Sequence, residues 1–155
     1  MSIEKKIREM GLAVPTPPKP AGAYVPWVES GIHIFTAGQL PVAEGKLAYQ
    51  GKLGRDLSVE EGYKAAHICA LNCLGVLREA LGSLDRVKRV VKVTGFVNSD
   101  SEFKEQPQVV NGASELLGQV FGSLGLHARS AVGVSSLPLG AAVEIEMVVE
   151  VASGE

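Results

Sequence analysis

Cysteine, aromatic side chains and concentrated positive charge are all scarce in this chain, and each shortage removes a class of function. Two cysteines, Cys69 and Cys73, stand one helical turn apart inside an apolar helical pattern. They cannot form a disulfide framework, and a zinc pair would need further ligands at suitable spacing. His33, His67 and His127 are scattered and do not supply them, so no metal is expected and the thiols read as reduced core residues. Aromatic residues make up 5% of the chain, too few for a base-stacking platform. Formal net charge is -2, and the nearest approach to a basic cluster, Arg86, Lys88, Arg89 and Lys92, is divided by strand alternation between two faces. Both features argue against a nucleic-acid partner, which needs many cations presented together. No apolar run is long enough to cross a bilayer, so no membrane partner is expected. The first residues, Met1 to Lys6, lack the apolar core of a signal peptide, and a cytoplasmic protein is the expectation. Between Gly38 and Lys46 the glycine spacing is wrong for a phosphate loop, and Leu47 stands where Ser or Thr would hold magnesium.

What is present is ordinary globular material: 155 residues, 46% hydrophobic and 21% charged, which predicts one domain over residues 1–155. Ser2 to Met10 reads as a short, peripheral helix stopped by Gly11, and Pro15, Pro17, Pro18 and Pro20 then impose an extended arm laid over the domain. Trp27 to Ala37 alternates like a strand pair bent at Ser30-Gly31, and Lys46 to Tyr49 suits a short edge strand. Ser58 and Glu61 form a Ser-x-x-Glu capping box that opens a helix running to Leu81, with Gly82 as its stop. Ala66, Cys69, Ala70, Cys73, Leu74, Leu77 and Leu81 trace its buried stripe. Val87 to Val97 reads as the central strand, and a second helix runs from Pro107 to Phe121. The order predicts an α+β domain with two long helices on one face of a mixed sheet.

The chemistry is concentrated near the end of the chain, in what reads as two strands joined by a turn. On the first, Arg129 shares a face with Ala131, Gly133 and Ser135, which leave room beside a guanidinium. On the second, Glu144, Glu146 and Glu150 oppose the apolar face of Val143, Ile145, Met147, Val149 and Val151. A fixed cation, open room and a nearby carboxylate suit a small anionic ligand. A surface salt bridge between neighbouring strands is the alternative.

Several segments together resemble the reactive-intermediate deaminase family, also called the YjgF/L-PSP family. Thr36-Ala37-Gly38-Gln39-Leu40-Pro41 is similar to its T-S/A-G-Q-x-P segment. Val91 to Val97 is similar to its central strand, and Ala128-Arg129-Ser130, Leu137-Pro138 and Val143 to Glu146 to its C-terminal signature. The resemblance runs from Ala21 to Val151, and it is the order and spacing of the segments that make it specific.

That resemblance implies a chorismate-mutase-like fold and a homotrimer with ligand clefts between subunits. It implies hydrolysis of reactive enamines and imines, such as 2-aminoacrylate and 2-iminopropanoate, to 2-keto acids and ammonia without a cofactor. Arg129 corresponds to the arginine that clamps the substrate carboxylate, and Glu144 to the glutamate that positions the attacking water. Tyr24, Gly38 and Asn111 correspond to residues lining the cleft. Ala37 replaces a frequent serine, Ala131 a frequent cysteine and Ala23 a frequent proline, and a loop over Ser99 to Gln106 marks a longer branch of the family. Two further readings keep the same residues: a non-catalytic trimeric module that binds small carboxylates, and an endoribonuclease or translation inhibitor.

Overall fold

In the computed structural model, which describes residues 2–20 and 22–153, the chain runs α1 (Ile3–Glu9), β1 (Trp27–Ser30), β2 (His33–Thr36), β3 (Val42–Ala43), β4 (Lys46–Leu47), α2 (Val59–Leu81), β5 (Val87–Asn98), α3 (Gln106–Phe121), β6 (Ala128–Val134) and β7 (Val143–Val151). Ala21, from which the resemblance starts, and the chain ends Met1, Gly154 and Glu155 lie outside the described residues. The capping box fixes the start of α2. Ser58 Oγ accepts from the Glu61 amide at 3.2 Å, and the Glu61 carboxylate accepts from the Ser58 amide at 3.0 Å. At the other end Gly82 turns left-handed, with φ 79°, and closes the helix onto Arg78 O.

Five strands form one sheet in the order β1-β2-β7-β5-β6, and β3 and β4 form a separate hairpin where only an edge strand at Lys46 to Tyr49 was expected. Neighbours in the sheet are antiparallel except β5 and β6, which run parallel. This corrects two expectations. β6 and β7 are not a hairpin, because β5 lies between them, and the middle of the sheet is β7 rather than β5. The reason is topological: α3 is a crossover, and a strand reached by a crossover is laid parallel beside the strand it left. The chain then passes the end of β5 through Pro138–Gly140 to pair along its other edge.

α2 and α3 cover one face of this sheet, as the pattern predicts. Beneath them lie Val93, Val97, Ile145, Met147 and Val149, all buried. Gly95 permits the close seat of α3, since a Cβ there would lie 2.5 Å from Val110 Cγ2. Cys69 and Cys73 are buried in the same layer, their thiols directed at the carbonyls of Val143 and Ile145. Burial pushes both thiols up, Cys73 to about 12, which keeps them protonated and inert.

The opening helix is not peripheral. Ile7 is buried in the main core, worth about 2 kcal/mol for a side chain of this size. Glu4 accepts from Arg78 Nη2 at 2.7 Å, from Arg78 Nε at 3.1 Å and from the Leu84 amide at 2.9 Å. A seven-residue pattern carries too little periodicity to reveal a docking partner some 70 residues away. The proline-rich arm crosses α2 at Gly75, where the Pro15 carbonyl occupies the space that a side chain would need. Among the described residues, no helix is long and apolar enough to cross a membrane.

Candidate functional site

Strand register decides which side chains can meet. Val93 of β5 stands opposite Arg129 on one side and Met147 on the other, so Arg129 projects from the helix-covered face. Phe96 stands opposite Val132 and Glu144, so Glu144 projects from the uncovered face. Within one chain, the predicted arginine and glutamate are therefore on opposite faces of the sheet with a strand between them. Residue alternation places side chains on one face of a strand but does not say which strand comes next.

On the covered side, Arg129 is held by α3. Its Nη1 donates to Asn111 Oδ1 at 2.8 Å and to Ser114 Oγ at 3.2 Å. Asn111 and Ser114 are three apart on the helix and so present neighbouring side chains. Ser114 is also within 2.9 Å of His127 Nε2, whose Nδ1 lies 2.6 Å from Gly125 O. The chain of bonds is complete when His127 carries its proton on Nδ1: it donates to Gly125, Ser114 donates to His127, and Arg129 donates to Ser114. Ser114 was not predicted; its signal is the i, i+3 spacing from Asn111.

Both anchors use the same nitrogen of Arg129. Nε and Nη2, the edge that meets a carboxylate through two parallel bonds, have no hydrogen-bond partner among the described residues. No carboxylate among them forms an ion pair with Arg129 either, so the salt-bridge alternative is not what the chain builds. Ala131 packs against the core, and the space left by Gly133 is taken by Ser99 Oγ and Gln106 Nε2, which lie 2.5 Å and 2.8 Å from where its Cβ would be. The room beside Arg129 is thus smaller than the run of small residues suggested.

On the uncovered side, Glu144 meets Gly38. Past β2 the chain continues alongside β7, with Gln39 N donating to Ile145 O at 2.8 Å and Ile145 N to Gln39 O at 3.0 Å. Residue 38 is thereby laid against the Glu144 side chain, and a Cβ on it would come within 2.8 Å of Glu144 Cδ. Two side chains hold this segment. Thr36 Oγ1 accepts from Met147 N at 3.1 Å, and Asn72 Nδ2 donates to Leu40 O at 2.9 Å and Val42 O at 3.0 Å. Asn72 also escaped prediction, although a lone amide beside the apolar stripe of α2 is a visible signal. Glu144 is half-buried, and that burial raises its pKa above the ordinary carboxylate value, with the Glu146 charge adding to the effect.

Tyr24 stands apart from both groups. It is 59% exposed, its ring folds back over Gly22, and it bonds to none of the other predicted residues. The structure thus brings together Arg129 with Asn111, and Glu144 with Gly38, as two half-sites. Around the second half, the uncovered face carries Val28, Phe35 and Val132, the last 43% exposed.

The chain and its fold are shared with known proteins. Residues 4–151 match the family model described as "YjgF/chorismate_mutase-like, putative endoribonuclease". Protein TCP17 of Trypanosoma cruzi is 47% identical over 96% of the chain and 93% of its own length. The protein Atu1372 of Agrobacterium tumefaciens is 44% identical, with a TM-score of 0.90 over 97% of the chain and 92% of that structure. A "putative endoribonuclease" from Shewanella oneidensis is 34% identical, with a TM-score of 0.94 over 97% of the chain and 100% of that structure. With its five-stranded mixed sheet, its helices and nearly its full length matched, the chain belongs to the YjgF/chorismate-mutase-like family.

Proposed function

We propose that the protein hydrolyses short-chain 2-imino acids and their enamine tautomers to 2-keto acids and ammonia. The observation that carries this reading is Arg129, a guanidinium anchored through one nitrogen with its carboxylate-binding edge free. Substrate carboxylate sits on that edge and aims the imine carbon away from α3. Glu144 orients a water and takes one of its protons as the oxygen adds to that carbon. The proton that Glu144 takes from the water goes to the imine nitrogen, giving a carbinolamine whose hydroxyl proton then follows it; the C–N bond breaks, ammonia leaves and the C–O bond becomes the keto group. The residues of the chain supply each of these steps, and no cofactor is assigned.

Because Arg129 and Glu144 leave opposite faces of one sheet, the reading pairs Arg129 and Asn111 of one copy with Gly38 and Glu144 of another, Tyr24 completing the cleft wall. A homotrimer closes such head-to-tail contacts. The exposed Val28, Phe35 and Val132 give the uncovered face, which also carries Glu146 and Glu150, apolar residues suited to a subunit contact. Light scattering should return the mass of three chains; a monomer would remove the cleft.

The test of activity is to generate 2-iminopropanoate with an amino-acid oxidase and follow its decay. Wild type accelerates the decay and Arg129→Ala does not. Keto-acid binding without any acceleration would instead identify a non-catalytic carboxylate-binding module. Ribonuclease action is a second reading, favoured by the description of the family and of the Shewanella oneidensis relative. It requires RNA cleavage that survives extensive purification and disappears in Arg129→Ala.

A further inference from the structure

The parallel strands β5 and β6 end side by side, the position where ligands collect in sheets with parallel strands. The loops that leave them, the segment before α2 and the first turn of α3 enclose a cleft of about 510 Å³. It opens at Gly133, four residues along β6 from Arg129 and so roughly 13 Å away.

Four kinds of hydrogen-bond donor converge there. Lys52 Nζ gives one proton to Asn98 Oδ1 at 2.9 Å and one to the Ser135 carbonyl, leaving a third. Gln106 Nε2 gives one proton to Phe103 O at 2.9 Å and keeps another. α3 begins at Gln106 without a side-chain cap and without an acidic residue in its first turn; Pro107 has no N–H to offer, so the amides of Gln106 and Gln108 are the ones that remain available. Ser99 is the independent sign. It is only 9% exposed, and its hydroxyl bonds to no group among the described residues. No buried side-chain oxygen or nitrogen among them is both sealed from solvent and unpaired, so the Ser99 hydroxyl must open onto the cleft. A Cβ on Gly133 would sit 2.5 Å from Ser99 Oγ and 2.8 Å from Gln106 Nε2, so the bare backbone of residue 133 is what lets these two groups come together.

Donors of this number call for a carboxylate. The cleft is also lined by Asp100, whose charge opposes that of Lys52 and disfavours a dianion. We propose that this cleft binds a small α-amino acid as its zwitterion. The carboxylate meets Lys52, Ser99 and Gln106, and the ammonium meets Asp100. The site is distinct from the Arg129 half-site and does not depend on the activity proposed there.

The test is a titration of isotope-labelled full-length protein with glycine, L-serine, pyruvate and inorganic phosphate, following the amide signals of residues 99–101 and 133–135. Glycine and L-serine should shift them saturably and more tightly than pyruvate or phosphate. Ser99→Ala should weaken the amino acids about tenfold, as loss of a hydrogen bond to a charged group does. Asp100→Asn, which removes the ammonium partner, should bring glycine and pyruvate to similar affinity, and Arg129→Ala should change nothing. The proposal is overturned if no amino acid gives a saturable shift, if phosphate and pyruvate bind as tightly as glycine to wild type, or if Arg129→Ala abolishes the response.

Discussion

Gly38 and Glu144 are in such close contact that residue 38 can carry no side chain while the carboxylate stays where it is: a Cβ would come within 2.8 Å of Glu144 Cδ. Gly38→Ala therefore pushes the carboxylate aside without touching Arg129. Displacement of a reacting group by an ångström costs about 10²-fold in rate. The expected outcome is a fall in kcat for imine hydrolysis of that order with KM little changed, read from steady-state kinetics.

The raised pKa of Glu144 sets a pH dependence. Water positioning needs the carboxylate, so the acid limb of the rate profile should lie above the ordinary value of 4.5. Burial is the larger cause and survives Glu146→Gln, whereas the like-charge contribution does not. That variant should move the acid limb to lower pH without abolishing it. A folded pKa raised above the unfolded one adds stability below the unfolded value and loses it as pH rises through the folded value. Glu144→Gln should accordingly raise Tm at neutral pH while removing activity.

Ser114 holds Arg129 by one of its two anchors. Ser114→Ala should raise KM about tenfold for the imine, the size of one hydrogen bond to a charged group, and reduce kcat less. Ser114→Thr, which keeps the hydroxyl, should restore KM. An unchanged KM in the alanine variant would mean that Asn111 alone suffices.

Docking of α1 makes a prediction about stability. Burial raises the Glu4 pKa, but the bonds from Arg78 and Leu84 and the Arg78 charge outweigh it, and the net shift is downward from 4.5. A depressed carboxylate stabilises the fold above its unfolded pKa and loses that contribution as pH falls through the folded value. Because Arg78 is about one-third exposed, the pair is screened, and Glu4→Gln should cost about 1 kcal/mol at pH 7. The difference in Tm between wild type and variant should shrink as pH is lowered past 4.5.

Much of this architecture was legible because it is local. The Ser58 to Gly82 helix and the strand bend at Ser30-Gly31 follow from caps, turns and period, which act within a few residues. Alternation singled out Arg129 and the acidic face of Glu144, while the roles of these two, and Tyr24, Gly38 and Asn111, came from resemblance. What alternation could not give was strand adjacency. Arg129 and Glu144 are close in sequence, yet β5 lies between their strands and the register puts them on opposite faces. The role of Ile7 was hidden for the same reason, since its partners are recruited from distant parts of the chain. Ser114 and Asn72 were missed differently. Each is a polar residue whose partner is a loop or strand met only after folding.

The strand that parts β6 from β7 also makes the two chemical demands of the proposed reaction genetically separable. In the proposed trimer, grip and water activation for any one cleft are written on different polypeptides. Two inactive variants, Arg129→Ala and Glu144→Gln, should therefore rescue each other when unfolded together and reassembled. Random mixing in equal amounts would leave roughly one cleft in four with both residues intact. Activity returning from a mixture of two dead proteins is a signature that a site contained within a single chain could not produce.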